Sequence, residues 1–559
     1  MSGKRAISAG VFLAVLAALP AFGLSPVAAR HGMVVSSEPL ASQVGVDILR
    51  VGGNAVDAAV AVGFAMAVTF PQAGNLGGGG FMLIRMASGD AIVVDYREEA
   101  PGAATRTMYQ DAQGHVIPDA NLVGARAAGV PGTVRGLALA EEKYGKLGLA
   151  RVIAPAIRLA REGFPISYAL ANAFRSERAS LEKFDGSRHV FLRDGRFHEP
   201  GTILRQPELA RTLEAISKNG PRGFYEGATA RAVVATMQKY NGLISAEDLA
   251  HYQAKLRPPL VGHFRGFEIL SVPPPSSGGT LLLEMLNVLD PLDLGTPNSY
   301  PAMHLIIETM RRAYADRAAY LGDADFVSVP VPGLISPRYA ARLREDIVQS
   351  APEAPVRAGE PPAAEPGATT HYSVVDSEGN AVSNTYTING WFGCGVTVEG
   401  AGFLLNNEMG DFAAQPGSAN MFGLVESEAN TIVPRKRPLS SMTPTVITRD
   451  GKVRFVLGSP GGSTIINTVL QVVLNVVAYK MDILQAVTSP RFHDQWMPDS
   501  VQLERVGFSL DTLEKLRQAG YPLSFRDSLG DCEAIDVDPG SGWRFGAADP
   551  RADGKAVGY

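Results

Sequence analysis

The sequence predicts a layered α/β protein, and three observations lead there. Short strands joined by tight turns recur on both sides of a proline-rich segment. Helices rich in alanine and valine, apolar nearly all round, alternate with them. No composition break divides the chain into comparable halves, which favours one interwoven core over several separate domains. With 559 residues, 46% hydrophobic and 19% charged, the chain can bury a large core and is not compositionally disordered. A net charge of −5 and the lack of any long Lys/Arg block argue against a nucleic-acid partner. The one dense basic run, Arg435-Lys436-Arg437, reads as a solvated loop.

The first 29 residues read as a signal peptide. Lys4 and Arg5 precede an apolar stretch from Ala6 to Leu24, and Pro26-Val27-Ala28-Ala29 offers a cut after Ala29. Ala21-Phe22-Gly23 offers an earlier one. Pro20 and the short apolar run disfavour a retained anchor, since a bilayer span takes about 20 apolar residues. Export places the protein in the periplasm or outside the cell, without a stable membrane anchor. Cys394 and Cys532 are the only cysteines, so no disulfide framework supports the fold, and whether these two pair stays open. No His/Cys/Asp cluster has metal-ligand spacing, so a metal enzyme is disfavoured.

Pro39 to Val51 and Asn54 to Thr69 read as helices, the second capped by Asn54 and ended by Pro71. Phe81 to Met86 and Ala91 to Tyr96 read as strands around a turn at Ser88-Gly89-Asp90. Several helices follow between Leu147 and Leu343, including Ala302 to Tyr320. From Ala351 to Ala368, five prolines sit among Ala, Glu and Gly with almost no large apolar side chains, the composition of an extended linker. It ends directly on Thr369, where His371 to Val375 and Ala381 to Ile388 form a hairpin through Ser377 to Asn380. Val446 to Arg449 and Lys452 to Leu457 flank the Asp450-Gly451 turn. Gly458 to Ser463 then leads into an apolar helix from about Thr464 to Tyr479. No repeat of fixed period is present.

A threonine hydroxyl is a poor nucleophile without a base beside it, and a chain-terminal threonine supplies that base as its own α-amine. A cut between Ala368 and Thr369 would create that amine, and an exposed linker accommodates a cut. On spacing alone, Thr369 and Thr370 could simply begin a strand. Gly461 and Gly462 precede a helix, so their N–H groups can face a developing oxyanion, although an ordinary glycine turn has the same sequence. Ser440 and Ser441 offer two hydroxyls in what could be a polar loop. Arg97, just past a strand end, can clamp a carboxylate, and Glu408 with Asp411 can hold an ammonium.

Five runs in one order carry more than any one of them. DYREEAP (95–101), TTHYSVVDSEGNAVSNTYTIN (369–389), LLNNEMGDF (404–412), RPLSSMTPT (437–445) and GSPGGS (458–463) resemble the γ-glutamyltranspeptidases. These are N-terminal-nucleophile hydrolases of four-layer αββα fold. NAVDAAVA (54–61), NLGGGGF (75–81), PRFHDQW (490–496) and the ADPRADG run near the end extend the resemblance over nearly all of the chain after the leader. It implies cleavage into a large subunit, 30–368 including the linker 351–368, and a small subunit, 369–559. The two would remain together as one interwoven heterodimer.

The resemblance also implies roles. Thr369 would be the nucleophile in self-cleavage and catalysis, with Thr387 hydrogen-bonding near it. Arg97, Ser440 and Ser441 would hold the α-carboxylate of a γ-glutamyl group, while Asp411, Glu408 and Asn389 would hold its α-ammonium. Gly461 and Gly462 would form the oxyanion hole. Glutathione and related γ-glutamyl amides would be donors, and water, amino acids or dipeptides acceptors, with no cofactor. Three positions depart from the family pattern: Gly410 stands where an acidic residue is common, Phe422 where bacterial relatives often carry a lid tyrosine, and Cys394 where a small or hydroxyl residue is expected. Competing readings are an acylase removing a glutaryl-like chain from a β-lactam nucleus, a poly-γ-glutamate processor, and a non-catalytic binding protein that has lost self-cleavage.

Overall fold

A computed structural model of the protein describes residues 25–349 and 369–559. The apolar leader core (6–24) and the linker 351–368 lie outside the described residues. Two seven-stranded antiparallel sheets form the centre. One runs, from edge to edge, Lys555–Gly558, Met33–Ser36, Thr369–Val375, Ala381–Thr387, Gly79–Arg85, Ala91–Asp95 and Lys255–Arg257. The other runs Val27–Ala29, Arg544–Ala547, Ala534–Val537, Lys452–Leu457, Thr445–Arg449, Phe267–Ser271 and Leu260–Phe264. Both draw strands from before and after the linker, so neither part of the chain owns a complete sheet.

Period-two alternation sorts the side chains into layers. In the first sheet Val34, Met82, Ile84, Tyr372 and Val374 point to a core shared with the helices Pro39–Arg50 and Ala55–Thr69. Met33, Val35, Phe81 and Leu83 point the other way and meet Leu270, Val446, Val456 and Ile535 of the second sheet. Ile269, Ile447, Phe455 and Leu457 face a third core with the helices Gly278–Leu289, Tyr300–Tyr320 and Ile465–Val473. Helix, sheet, sheet, helix is the four-layer αββα arrangement that the resemblance implied.

The helix Ala55–Thr69 is buried at every position, as its all-round apolar sequence requires. Asn54 accepts from the N–H groups of Val56 and Asp57, and Asp57 returns a bond to the Asn54 N–H, a complete capping box. The hairpin turn forms at Gly89, whose φ of +109° no L side chain adopts readily. The apolar helix after Gly458 is less regular than predicted. A 3₁₀ turn (Gly462–Thr464) precedes the α-helix Ile465–Val473, which ends in a π-helical turn (Leu474–Ala478).

The basic run also departs from its reading as a solvated loop. Arg435 is exposed, but Lys436 and Arg437 are buried. The Lys436 ammonium donates to the carbonyls of Ala429 and Thr431, and Arg437 pairs with Asp95 and Glu99. Cys394 and Cys532 are both free and sit in different cores, so they do not pair. At the edge of the second sheet, Val27–Ala29 pairs with Arg544–Gly546. Removing residues up to Ala29 would strip that strand, whereas a cut at Ala21-Phe22-Gly23 leaves it whole. Among the described residues no helix is long and apolar enough to cross a membrane.

Candidate active site

The hairpin that begins at Thr369 sets the site. Its register pairs Thr369 with Thr387, His371 with Thr385 and Ser373 with Ser383. All six side chains therefore share the face turned toward the second sheet, a polar stripe in an otherwise apolar layer. Ser373 and Ser383 hydroxyls donate to the carbonyls of Glu533 and Leu457 across the sheets. His371 meets Thr385 Oγ1 at 2.8 Å and Ser373 Oγ at 3.1 Å, and burial pushes its pKa down to about 3. It is a neutral spacer between hydroxyls rather than a base aimed at Thr369.

At the open end of the stripe, the Thr369 hydroxyl donates to Thr387 Oγ1 at 3.3 Å. Thr387 Oγ1 also accepts the Asn389 N–H at 2.7 Å, which fixes its lone pairs. Asn389 has φ of +71°, and its side-chain amide donates to the Asn407 carbonyl. That bond ties the end of the hairpin to the segment carrying the acids. Glu408 and Asp411 lie on one 3₁₀ turn, which brings both carboxylates to the same side.

Arg97 enters from beyond the strand Ala91–Asp95, held by the Pro438 carbonyl at its Nε (3.1 Å) and by the Tyr252 hydroxyl at its own carbonyl (2.8 Å). Its guanidinium pairs with Glu408 through Nη1 and with Asp411 through Nη2, the latter at 2.5 Å. Glu98 stands 3.5 Å away. Burial opposes the Arg97 charge, but Glu408 and Asp411 more than offset this and hold it firmly protonated. The acids are the strained partners. Burial drives Glu98, Glu408 and Asp411 above the ordinary carboxylate range, and the single cation only partly restores them.

One small pocket gathers Thr369, Arg97, Thr387, Asn389, Glu408, Asp411, Ser440, Ser441 and Gly462. Ser440 is positioned by its N–H to the Pro275 carbonyl, and its own carbonyl accepts from the Ser277 N–H. Gly461 does not line the pocket. It precedes Gly462 with φ of +131°, and the two open the 3₁₀ turn that feeds the helix Ile465–Val473. Five motifs far apart in sequence thus converge on one cavity, with a nucleophile candidate at one end and opposite charges at the other.

Besides Phe422, which the resemblance had placed at the lid position, the pocket has further walls that sequence reasoning did not assign. Arg317, on the long helix Tyr300–Tyr320, lines it while donating to Ser277 Oγ (3.2 Å) and pairing with Glu426 (2.7 Å). Asn420, Phe422 and Leu424 close it from a loop, and Leu439, Met442 and Ile465 supply apolar surface. Among the described residues no group of three or more His, Cys, Asp or Glu side chains is placed to hold a metal ion.

A sequence profile of the γ-glutamyltranspeptidase family matches residues 41–559. The glutathione hydrolase proenzyme of Escherichia coli (strain K12) is 47% identical over 540 residues, covering 96% of this chain and 93% of its own. Among solved structures, cephalosporin acylase from Bacillus halodurans superimposes with a TM-score of 0.85 at 28% identity, covering 98% of this chain and 99% of its own. Helicobacter pylori γ-glutamyltranspeptidase gives a TM-score of 0.55 at 46% identity over 56% of this chain and 90% of that one. With the layers, the pocket and this likeness over nearly all of its length, the chain belongs to the γ-glutamyltranspeptidase family.

Proposed function

We propose that the protein is a γ-glutamyltransferase and glutathione hydrolase that makes its own nucleophile by cutting between Ala368 and Thr369. The observation that carries this reading is the shared pocket of the Thr369 hydroxyl, the Arg97 guanidinium and the Glu408 and Asp411 carboxylates. In the precursor, Thr369 Oγ1 attacks the Ala368 carbonyl carbon, the C–N bond breaks, and the threonine nitrogen takes the hydroxyl proton. Water then splits the ester, leaving a carboxylate on Ala368 and a free α-amine on Thr369. That amine is the base the hydroxyl lacked. The large subunit, ending at Ala368, and the small subunit, 369–559, remain as one heterodimer, in the periplasm or outside the cell once the leader is removed.

Catalysis repeats the attack on a γ-glutamyl amide. Thr369 Oγ1 adds to the γ-carbonyl, its proton passing to the α-amine, and the oxyanion is received by the N–H of Gly462 in the pocket wall, with that of Gly461, just behind it at the helix entrance, as the second donor. The amide C–N bond breaks, the amine leaves with that proton, and a γ-glutamyl ester remains on Thr369. Water converts it to glutamate, or an amino acid or dipeptide amine to a new γ-glutamyl amide. The amino-acid end of the donor is a zwitterion. Its carboxylate takes Arg97, Ser440 and Ser441, and its ammonium takes Asp411, Glu408 and Asn389, separating a guanidinium and carboxylates that otherwise hold each other.

The likeness to a cephalosporin acylase raises a second reading, a glutaryl donor. Such a donor brings a carboxylate and no ammonium. Once Arg97 turned to it, Glu98, Glu408 and Asp411 would keep one shared counter-ion against one more negative charge, at a cost of roughly 1–3 kcal/mol for each polar group left unpaired. The zwitterion balances charge as it binds, so the γ-glutamyl reading is favoured.

The deciding experiment is intact mass and N-terminal sequencing of the purified protein beside Thr369→Ala, followed by an assay with a γ-glutamyl anilide. A small subunit beginning Thr-Thr-His-Tyr, absent from the variant, together with anilide turnover supports the reading. A folded wild type that stays uncut would move the protein to the non-catalytic binding class.

A further inference from the structure

The run PRFHDQW (490–496) has no part in the chemistry above, yet its Gln495 side chain reaches the pocket's outer wall. That wall is the segment Ser418–Glu426, a small hairpin closed by the bridge between Ala419 and Val425. Asn420 organises its tip, its side-chain carbonyl accepting the N–H groups of Phe422 (3.0 Å) and Leu424 (3.2 Å). The base is fixed by the buried Glu426–Arg317 pair. The Phe422 ring lies directly over Gly462, so close that a Cβ on Gly462 would fall 2.4 Å from the ring. This ring is the cover of the oxyanion end of the pocket.

Among the described residues, the side chain that grips the Phe422 carbonyl is Gln495. Its amide nitrogen donates to Phe422 O at 3.0 Å and to Met497 O at 3.1 Å. Its amide oxygen faces His493 Nε2 at 2.9 Å, and His493 Nδ1 faces the Asn467 side-chain amide nitrogen at 2.8 Å. Asn467 can only donate there, since its Nδ2 carries the hydrogens, so Nδ1 accepts and Nε2 carries the proton. That tautomer donates to the Gln495 oxygen and turns the Gln495 NH₂ toward the loop. Burial keeps His493 neutral, with its pKa pushed down to about 4, so the arrangement holds across physiological pH. Asn467 stands on the helix Ile465–Val473, whose entrance carries Gly462, and Tyr314 packs edge-on against His493 while donating to the Ser463 carbonyl. The chain of bonds therefore runs from the oxyanion helix, through His493 and Gln495, to the cover above that helix.

We propose that Gln495 is a positioning residue for catalysis, holding the Phe422 ring closed over Gly462 and the γ-glutamyl ester, with His493 setting the direction of its amide. The Phe422 phenyl has no polar atom of its own, so the cover is held by its backbone, from behind. Loosening it should weaken retention of the donor without touching Thr369.

The proposal rests on the γ-glutamyl reading, and its test separates the two. Gln495→Glu keeps the shape and the acceptor for His493 but loses both N–H donors, and Gln495→Ala loses both functions. Each should cleave itself fully, which shows that it has folded, and should raise the donor KM about three- to tenfold with kcat changed less than twofold, the size of one lost hydrogen bond. Proteolysis within 413–427 should become faster in both. In a Phe422→Ala background, where no ring remains to hold, Gln495→Glu should raise KM no further. Equal KM and equal proteolysis for Gln495→Glu and wild type would overturn the proposal, as would additive effects with Phe422→Ala or a Phe422→Ala variant with unchanged KM. A wild type inactive on γ-glutamyl amides would instead refute the functional reading, and the proteolysis comparison would still decide whether Gln495 holds the loop.

Discussion

Arg97 and Asp411 hold each other in the pocket, Nη2 to Oδ2 at 2.5 Å, although a γ-glutamyl donor needs them for opposite ends of one amino acid. Each is thus kept in place, desolvated and paired until the donor replaces both partners at once. Asp411→Ala should raise the donor KM by about 10- to 100-fold, the range for a lost hydrogen bond to a charged group, while self-cleavage proceeds. Donor affinity equal to wild type would remove Asp411 from the ammonium site.

The same cluster predicts a proton balance. Burial raises the pKa of Glu98, Glu408 and Asp411, so the empty pocket retains protons that ordinary carboxylates would have lost. A donor ammonium favours the charged forms and expels protons as it binds. Donor binding should therefore tighten as pH rises, levelling off once the acids ionise unaided. Calorimetry with Thr369→Ala in buffers of different ionisation enthalpy should record net proton release, smaller in Glu408→Gln. Proton uptake on binding would contradict this assignment.

Thr387 has a narrower task. Its hydroxyl orients that of Thr369 and is itself fixed by the Asn389 N–H. Thr387→Val keeps the strand and the shape but removes the oxygen. It should slow self-cleavage about tenfold, matching one lost hydrogen bond, and lower the melting temperature modestly, because the buried Asn389 N–H also loses its acceptor. Unaltered cleavage kinetics on a denaturing gel would show that Thr369 needs no such orientation.

The N-terminal edge makes a prediction about processing. Val27–Ala29 completes the second sheet, and the Arg30 guanidinium stacks 4.8 Å from the Trp543 ring just beyond it. A mature large subunit should begin upstream of Val27, consistent with a cut after Gly23. A protein made to start at Arg30 should melt at lower temperature, each lost strand hydrogen bond being worth about 1 kcal/mol. A mature mass that begins at Arg30 would favour the later site.

What the sequence made legible was chemistry concentrated in runs. Thr369 follows a linker that cannot pack, and Glu408 with Asp411 occupies one short turn, so their importance is local. The hairpins at Gly89 and Gly451 were equally readable, because turn chemistry acts within four residues. Arg317 was not readable, since Arg311, Arg312 and Arg317 share one helix and only tertiary packing turns Arg317 to the pocket and the other two to Glu308. The run 435–437 misled for a related reason. A charge is solvated by default, and nothing nearby in sequence reveals that Asp95 and Glu99 wait to neutralise Arg437. Gln495 belonged to a recognisable motif, but its partner Phe422 lies 73 residues away.

The strand Thr369–Val375 lies between Met33–Ser36 on one side and Ala381–Thr387 on the other, so it is already woven into the sheet before it gains a free end. Assembly of the uncut chain is therefore a unimolecular event, and reassembly after the cut a bimolecular one. The uncut chain keeps its two parts at the high effective concentration of a tether, and the cut discards the tether after its work is done. Once denatured, the mature enzyme must find its partner by diffusion, and its recovery should depend on protein concentration where that of Thr369→Ala does not. Each molecule is in this sense assembled once, and its working lifetime is set by how slowly it unfolds rather than by how well it can fold again.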